Sequence, residues 1–276
     1  MSKPAITNVL SLGAGVQSTA VFLMSCAGEL PKLDLAIFAD TGWEPAAVYD
    51  QLERLEKIGL DNGVPVVRVT AGNIRQDMLE KAVPANRGRF AVIPLHTKNK
   101  EGHKAILRRQ CTREYKIEPI TQYIRQHILK LRKRQRGPRA PAVRQWFGIS
   151  LDEFQRMRVP DKSWLEFYYP LIENRVTRNG CLEWCEKNGF SEPPRSACIG
   201  CPYHSNKEWR EMQTTRPAEF KDAVEFDNQV RHMAGINAEV FVHSNCKPLS
   251  DIDLISDTER GQLTLWDDEC SGMCGV

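Results

Sequence analysis

The chemistry in this chain of 276 residues begins with its nine cysteines. Cys198-Ile-Gly-Cys201 is a CxxC pair, a spacing that brings two thiolates from one tight turn to a shared centre. Such a pair needs partners from elsewhere in the fold. In "RNGCLEWC", Cys181 and Cys185 stand one helical turn apart, and Cys181 is the best-placed fourth ligand. Sets of four thiolates suit an iron–sulfur cluster or a structural zinc ion, and spacing does not separate the two. Cys270 and Cys274 fall in "ECSGMCG" near the end of the chain. A cysteine-rich tail of that kind serves as a nucleophile or as a disulfide-forming pair; an exposed tail with incidental thiols is the competing reading. Cys26 lies in an apolar helical pattern and reads as a small core residue. His204, three residues after the CxxC, reads as a neighbour of the ligands or a surface residue, with a fourth-ligand role, like one for Cys185, as the open alternative.

"VLSLGAGVQSTAVFLM" (9–24) runs from strand through turn to helix. Gly13, Ala14 and Gly15 let backbone N–H groups approach an anion, and the following helix adds its dipole and free amides. Ser18 and Thr19 offer hydroxyl donors to phosphate oxygens. A plain glycine-rich turn is the alternative. "FADTGWE" (38–44) ends the next apolar strand, and its Asp40 suits a base, a ribose or a metal. Between Glu118 and Asp152 there is no acidic residue, while Arg125, Lys130, Arg132, Lys133, Arg134, Arg136, Arg139 and Arg144 stand there. Without acids, such a tract lacks the intrahelical pairs of a solvated face. It suits the phosphates of a nucleic acid at the mouth of the site. Aromatic residues are sparse there, so base stacking is not its main mode. Arg87 and Arg89 flank Gly88 and read equally as phosphate clamps or as a solvent-facing loop.

Together these pieces resemble the PP-loop ATP pyrophosphatase superfamily, and within it the phosphoadenylyl-sulfate (PAPS) reductase-like, iron–sulfur sulfurtransferase branch. The family turn reads SxSGGxDS. In register with it, Gly15 and Ser18 match strictly; Gly13 stands for a serine, Ala14 for a glycine and Gln17 for the aspartate. "CTREYKIEPI" (111–120) is similar to the family's CCxxRKxxPL, with Cys111 on the first cysteine, Lys116 on the lysine and Pro119 on the proline; Thr112 replaces the second cysteine. "GISLDEFQR" (148–156) places Arg156 on a distal arginine, and "SACIGCP" (196–202) resembles the family's GC..CP element. The pieces run in the family's order over residues 9–205.

The resemblance implies that ATP phosphates, with Mg²⁺, bind at Ser11, Gly13, Ala14, Gly15, Gln17, Ser18 and Thr19. It sets the nucleoside near Asp40, Thr41 and Gly42. It favours a [4Fe–4S] cluster on Cys111, Cys181, Cys198 and Cys201, with Zn²⁺ as the alternative. An acceptor oxygen would attack ATP, release pyrophosphate and leave an adenylated intermediate, from which a sulfur nucleophile displaces AMP. Lys116, Arg156, Cys270 and Cys274 are the expected catalytic residues. The basic tract over 125–144 makes a nucleic acid the expected acceptor, by tRNA thiolation or DNA phosphorothioation, with a sulfur donor such as a cysteine desulfurase. The rival is a PAPS or adenylyl-sulfate reductase, in which Cys270 attacks sulfur and releases sulfite. A third reading is a non-catalytic, cluster-containing protein that binds nucleic acid or senses redox state.

These residues need a scaffold. "ITNVLSL" (6–12), "LDLAIFADTG" (33–42) and "VPVVRVT" (64–70) read as strands, and 18–27, 44–60 and 73–83 as helices, the last capped by Asn73. Strands alternating with helices predict an α/β fold with a doubly wound, mainly parallel sheet. Its ligands bind beyond the carboxyl ends of the strands, where the turns at 13–18 and 40–44 lie. Residues 84–110 read as loop-rich, 116–134 as a helix running into the basic tract, and 136–141 as an exposed linker. "WFGIS" (146–150) returns to strand, and a helical, cysteine-rich part follows from 181. The expected division is 1–125 for the nucleotide-binding part, 126–180 for the basic insertion and return to the sheet, and 181–276 for the cysteine-rich part. Net charge is +3 and decides nothing about partners. The sequence offers no uninterrupted membrane span and no clear leader cleavage site, so the expected location is cytoplasmic.

Overall fold

Apolar runs separated by amphipathic helices build one parallel sheet, as their order implies. The structure is a computed structural model and describes residues 6–82 and 92–255. β1 (Thr7–Leu12) passes through the glycine turn into α1 (Val16–Cys26); β2 (Leu35–Asp40), α2 (Ala46–Asp61), β3 (Val66–Thr70) and α3 (Ile74–Ala82) follow. Asn73 caps α3, its side-chain oxygen accepting the N–H of Gln76 at 3.0 Å. Then come β4 (His96–Lys98), β5 (Lys104–Ile106) and a long helical run. Its middle is α4 (Glu118–Tyr123), between wider π-type turns at Thr112–Ile117 and Ile124–Ile128. β6 (Val143–Phe147), β7 (Leu165–Tyr168), α5 (Pro170–Glu173), α6 (Arg178–Lys187), α7 (Asn206–Thr215), α8 (Pro217–Gln229) and β8 (Glu239–Phe241) complete the order.

The main sheet runs β3-β2-β1-β6-β7, with every neighbour parallel. Strand order reverses at β1, so the crevice beyond the carboxyl ends of β1 and β6 is the switch point where such sheets bind ligands. Side chains alternate between faces. Leu10, Leu12, Ala36, Phe38 and Trp146 meet α1, α2 and the Cys181/Cys185 side of α6. Val9, Ile37, Ala39, Val143 and Leu165 meet Ile120 and Ile124 of the helical run. The result is the doubly wound α/β fold.

A further core gathers Trp43, Ile74, Met78, Trp209 and Phe226 under α3, α7 and α8. Beside it a small antiparallel sheet runs β5-β4-β8. The loop-rich reading of 84–110 misses this sheet. Its strands hold three residues each, too few for alternation to register, and β8 comes from far along the chain.

The basic tract is not at the mouth of the site. The long helical run starts at the carboxyl edge of the sheet and travels antiparallel to the strands. β6 then begins with Val143 opposite Thr7, the first residue of β1, and the Thr7 N–H bonds the Ala142 carbonyl at 3.1 Å. Gly137 lies against Trp164, just ahead of β7; a Cβ there would come within 2.2 Å of the indole. Residues 129–142 therefore occupy the amino edge of the sheet, opposite the glycine turn. A helix that leaves one edge of a parallel sheet delivers its chain to the other. Among the described residues, no helix is long and apolar enough to cross a membrane.

Candidate functional site

The glycine turn closes on itself and on its neighbours. Ala14 takes a left-handed φ of +56°, an uncommon conformation for a non-glycine residue. The Ser18 hydroxyl accepts the Gly13 N–H at 3.1 Å and donates to the Gly15 carbonyl at 3.3 Å. Gly148, just past β6, sits against the first turn of α1; a Cβ there would lie 2.5 Å from the Ser18 nitrogen. Gln17, which stands where the family pattern has an aspartate, donates its amide to Glu153 at 3.1 Å and reaches Ser150 at 3.5 Å. Arg156 pairs with the same Glu153 at 2.7 Å, so Gln17, Glu153 and Arg156 form one polar chain beside the turn. The Ser11 hydroxyl accepts from Gln145 at 2.7 Å. Thr19 differs from expectation: it is fully buried, and its hydroxyl has no hydrogen-bond partner among the described residues. It cannot reach a phosphate in this conformation, because the inward face of α1 packs into the core.

At the end of β2, Asp40 Oδ1 accepts the Gly42 N–H at 2.7 Å and the Tyr49 hydroxyl at 2.9 Å. Burial and the Asp40 carboxylate push the Tyr49 phenol above its ordinary range, so it stays a donor. Gly42 adopts φ +71° and is clasped by Asn73, whose amide donates to its carbonyl at 2.7 Å. This turn aims Thr41 and Glu44 toward the cysteines.

Cys111, Cys198 and Cys201 line one cleft, with apolar walls from Ile74, Ile93, Pro94 and Ala197. Gly200 makes the CxxC turn possible: a Cβ there would come within 2.1 Å of Trp43. The His204 Nε2 donates to the Cys198 carbonyl at 3.0 Å, so it braces the turn instead of facing the cleft as a ligand. Burial and the nearby Arg195 cation hold His204 down to about 3, which keeps the imidazole neutral. The Thr41 hydroxyl lies 3.3 Å from Cys198 Sγ and 3.0 Å from Glu44 Oε1. Glu44 Oε1 in turn lies 3.8 Å from Cys198 Sγ and 3.9 Å from the Lys116 ammonium. Burial, then the Glu44 carboxylate, push the Cys198 thiol well above the usual thiol range, while Lys116 and Thr41 pull it back. A thiolate at Cys198 therefore calls for additional positive charge in the cleft.

The turn and the cleft share a wall. Ser196 lines the cleft and also packs on the turn: a Cβ on Gly15 would come within 3.2 Å of the Ser196 Cβ. The structure thus brings together Gly13, Gly15, Thr41, Cys111, Lys116, Cys198 and Cys201.

Cys181 is a correction. With Cys185 it is buried in the core formed by α1 and α6, and burial raises its thiol to about 12. It does not line the cysteine cleft. One helical turn of spacing put both thiols on the inward face of α6, where they pack as apolar groups. Cys270, Cys274, Arg87 and Arg89 lie outside the described residues.

Two residues at the candidate site escape sequence reading. Glu44 is 4% exposed, and its Oε2 has no hydrogen-bond partner among the described residues. Its signal was an acid placed inside an apolar, aromatic stretch. Arg109 lines the cleft, lies 5.7 Å over the Tyr203 ring, and has a buried Nε with no hydrogen-bond partner among the described residues. Only its place two residues before Cys111 hinted at this.

No protein-family model matches the chain, and no curated protein matches it. Among solved structures, it is similar to the U34-tRNA thiolase NcsA from Methanococcus maripaludis with its [4Fe-4S] cluster, at a TM-score of 0.36 and 13% identity, covering 90% of this chain and 80% of that one. A likeness of this degree says nothing about activity.

Proposed function

We propose that this protein is an ATP-dependent sulfurtransferase that activates an oxygen of a nucleic acid and replaces it with sulfur. The observation that carries this reading is the shared wall. Ser196 joins a glycine turn suited to phosphates with a cleft lined by Cys111, Cys198 and Cys201. Phosphate chemistry and sulfur chemistry thereby become neighbours.

The donor set is one that an iron–sulfur cluster takes: the thiols of Cys111, Cys198 and Cys201 line one cleft, and soft thiolate ligands suit such a cluster. Cys111, Cys198 and Cys201 would hold it, and its cationic irons offset the burial that disfavours a Cys198 thiolate. When bound, the cluster supplies a sulfur-carrying iron beside the acceptor.

The remaining roles fall to the chain itself. The amides of residues 14–16, which follow the Gly13 N–H that Ser18 already holds, and the α1 dipole stabilise charge on the ATP phosphates, with Mg²⁺ as counter-ion. Arg156, held by Glu153, and Lys116, held near Glu44, bracket the turn and the cleft. The acceptor oxygen attacks the α-phosphorus, pyrophosphate leaves, and sulfur then displaces AMP. A cysteine desulfurase is the class of donor that replenishes the sulfur.

Anaerobic purification with iron and sulfide analysis tests the cluster, with about four irons per chain expected. An ATP assay with tRNA and with DNA tests the reaction. Pyrophosphate and AMP that depend on the nucleic acid support it; iron-free protein, or no pyrophosphate with either acceptor, overturns it. The Glu269-Cys270 pair keeps a sulfonucleotide reductase as the second reading, and sulfite released from PAPS would favour that reading.

A further inference from the structure

Resting on the nucleic-acid reading above, we propose that residues 129–139 form a second docking point for a phosphodiester backbone. It lies at the sheet edge opposite the cleft, so the substrate is a nucleic acid with a duplex arm and not a short strand. The loop is folded. Arg125 donates to the Gln135 carbonyl at 2.6 Å, and the Arg132 N–H bonds the Gln135 side chain at 2.9 Å. Lys130 and Arg134 take left-handed φ values of +52° and +64°, so two cationic residues occupy positions that favour glycine. Ser163 donates to the Pro138 carbonyl at 2.9 Å, and Gly137 packs on Trp164. These contacts fix the backbone and leave the charges outward.

Lys130, Arg132, Lys133, Arg134, Arg136 and Arg139 are all exposed. Arg144, by contrast, is held by Glu166 at 3.3 Å and lies over the Tyr168 ring, so it belongs to the sheet rather than to the patch. A cluster of outward cations, in a stretch with no acidic residue between Glu118 and Asp152, matches a line of phosphates. The helical run from Thr112 to Ile128 separates the two sites. At about 1.5 Å per residue it spans roughly 20–25 Å. A duplex rising about 3.4 Å per base pair covers that distance in about seven base pairs.

Binding of fluorescent RNA and DNA hairpins with arms of four and of twelve base pairs, measured by anisotropy across a salt series without ATP, tests this. The probes meet intact protein and the triple variant Lys133→Ala/Arg136→Ala/Arg139→Ala. The expected result is at least tenfold weaker binding of the long arm by the variant. The slope of log K against log salt should fall by about two to three, with little change for the short arm. Preference for RNA or for DNA names the source, and either supports the proposal. Equal affinity and slope for both proteins on the long arm overturn it. So does a polyglutamate of matched charge that displaces the long arm as well as unlabelled duplex does, since the patch would then be an acidic-protein site. An unchanged melting temperature of the variant keeps the comparison free of misfolding. Because neither cluster nor ATP enters the readout, loss of pyrophosphate release with intact long-arm binding would count against the sulfurtransferase alone.

Discussion

Cys181 and Cys185 look like ligands in the sequence, as do Cys198 and Cys201; the fold treats the two pairs oppositely. The first pair lies on the inward face of α6 against α1, sealed among apolar side chains. The second sits on an irregular turn whose wall touches the phosphate-type turn, beside a threonine hydroxyl, a buried carboxylate and a lysine. Two thiols become a chemical site when their backbone cannot pack as regular structure and polar groups gather around them. Spacing alone does not distinguish these cases.

The largest effect separating the pairs is expected from Cys198→Ser. Iron content should collapse, and nucleic-acid-dependent AMP formation should fall by more than the 10–100-fold typical of outer-shell changes. Full iron in that variant would remove Cys198 from the ligand set. Next comes Glu44→Gln, which keeps the shape but weakens the hold on Lys116. Turnover should drop about tenfold or more while the fold is retained, and an unchanged rate would reduce Glu44 to packing. Cys181→Ser should leave iron untouched and instead cost ~1–3 kcal/mol, because it buries a hydroxyl without a partner; denaturant titration reads this. Consistently, alkylation of the folded protein freed of its cluster, at pH 8, should label the part-exposed Cys201 well before the buried Cys181. If Cys181 reacts first, the two pairs have been assigned the wrong way round.

The smallest effect concerns His204, which braces the CxxC turn. Its native value is depressed from 6.5 to about 3, so between these values the unfolded chain binds a proton that the native chain does not. Its contribution to stability is complete above about pH 6.5 and is lost as pH falls toward 3. The melting temperature should decline on acidification from pH 7 to 5, and His204→Gln should flatten that decline. Equal slopes in the two proteins would assign the acid sensitivity elsewhere.

Much of the scaffold was legible. β1, β2 and β3 are short apolar runs set between helical stretches, α2 turns Val48, Leu52 and Leu55 inward as their spacing implied, and Asn73 caps where its position implied. The small β5-β4-β8 sheet was not, since three-residue strands leave no pattern. At the site, the residues of the glycine turn, Asp40 and the CxxC stood out by type and spacing. Glu44 and Arg109 did not, because one acid or one arginine has meaning only through its neighbours. Thr19 and Cys181 were over-read: the sequence shows what a side chain offers but not which way its helix turns it.

By itself, the sequence determined the alternating α/β pattern, the turn after β1, the CxxC and the acid-free basic tract. These are local properties of composition and period, carried by a few adjacent residues. Only the tertiary structure decided which thiols share a cleft, that Ser196 joins the cleft to the turn, and that the basic loop lies at the far edge. Those outcomes depend on strand order and helix direction, which bring residues more than a hundred positions apart to one edge of the sheet or send neighbours in sequence to opposite edges.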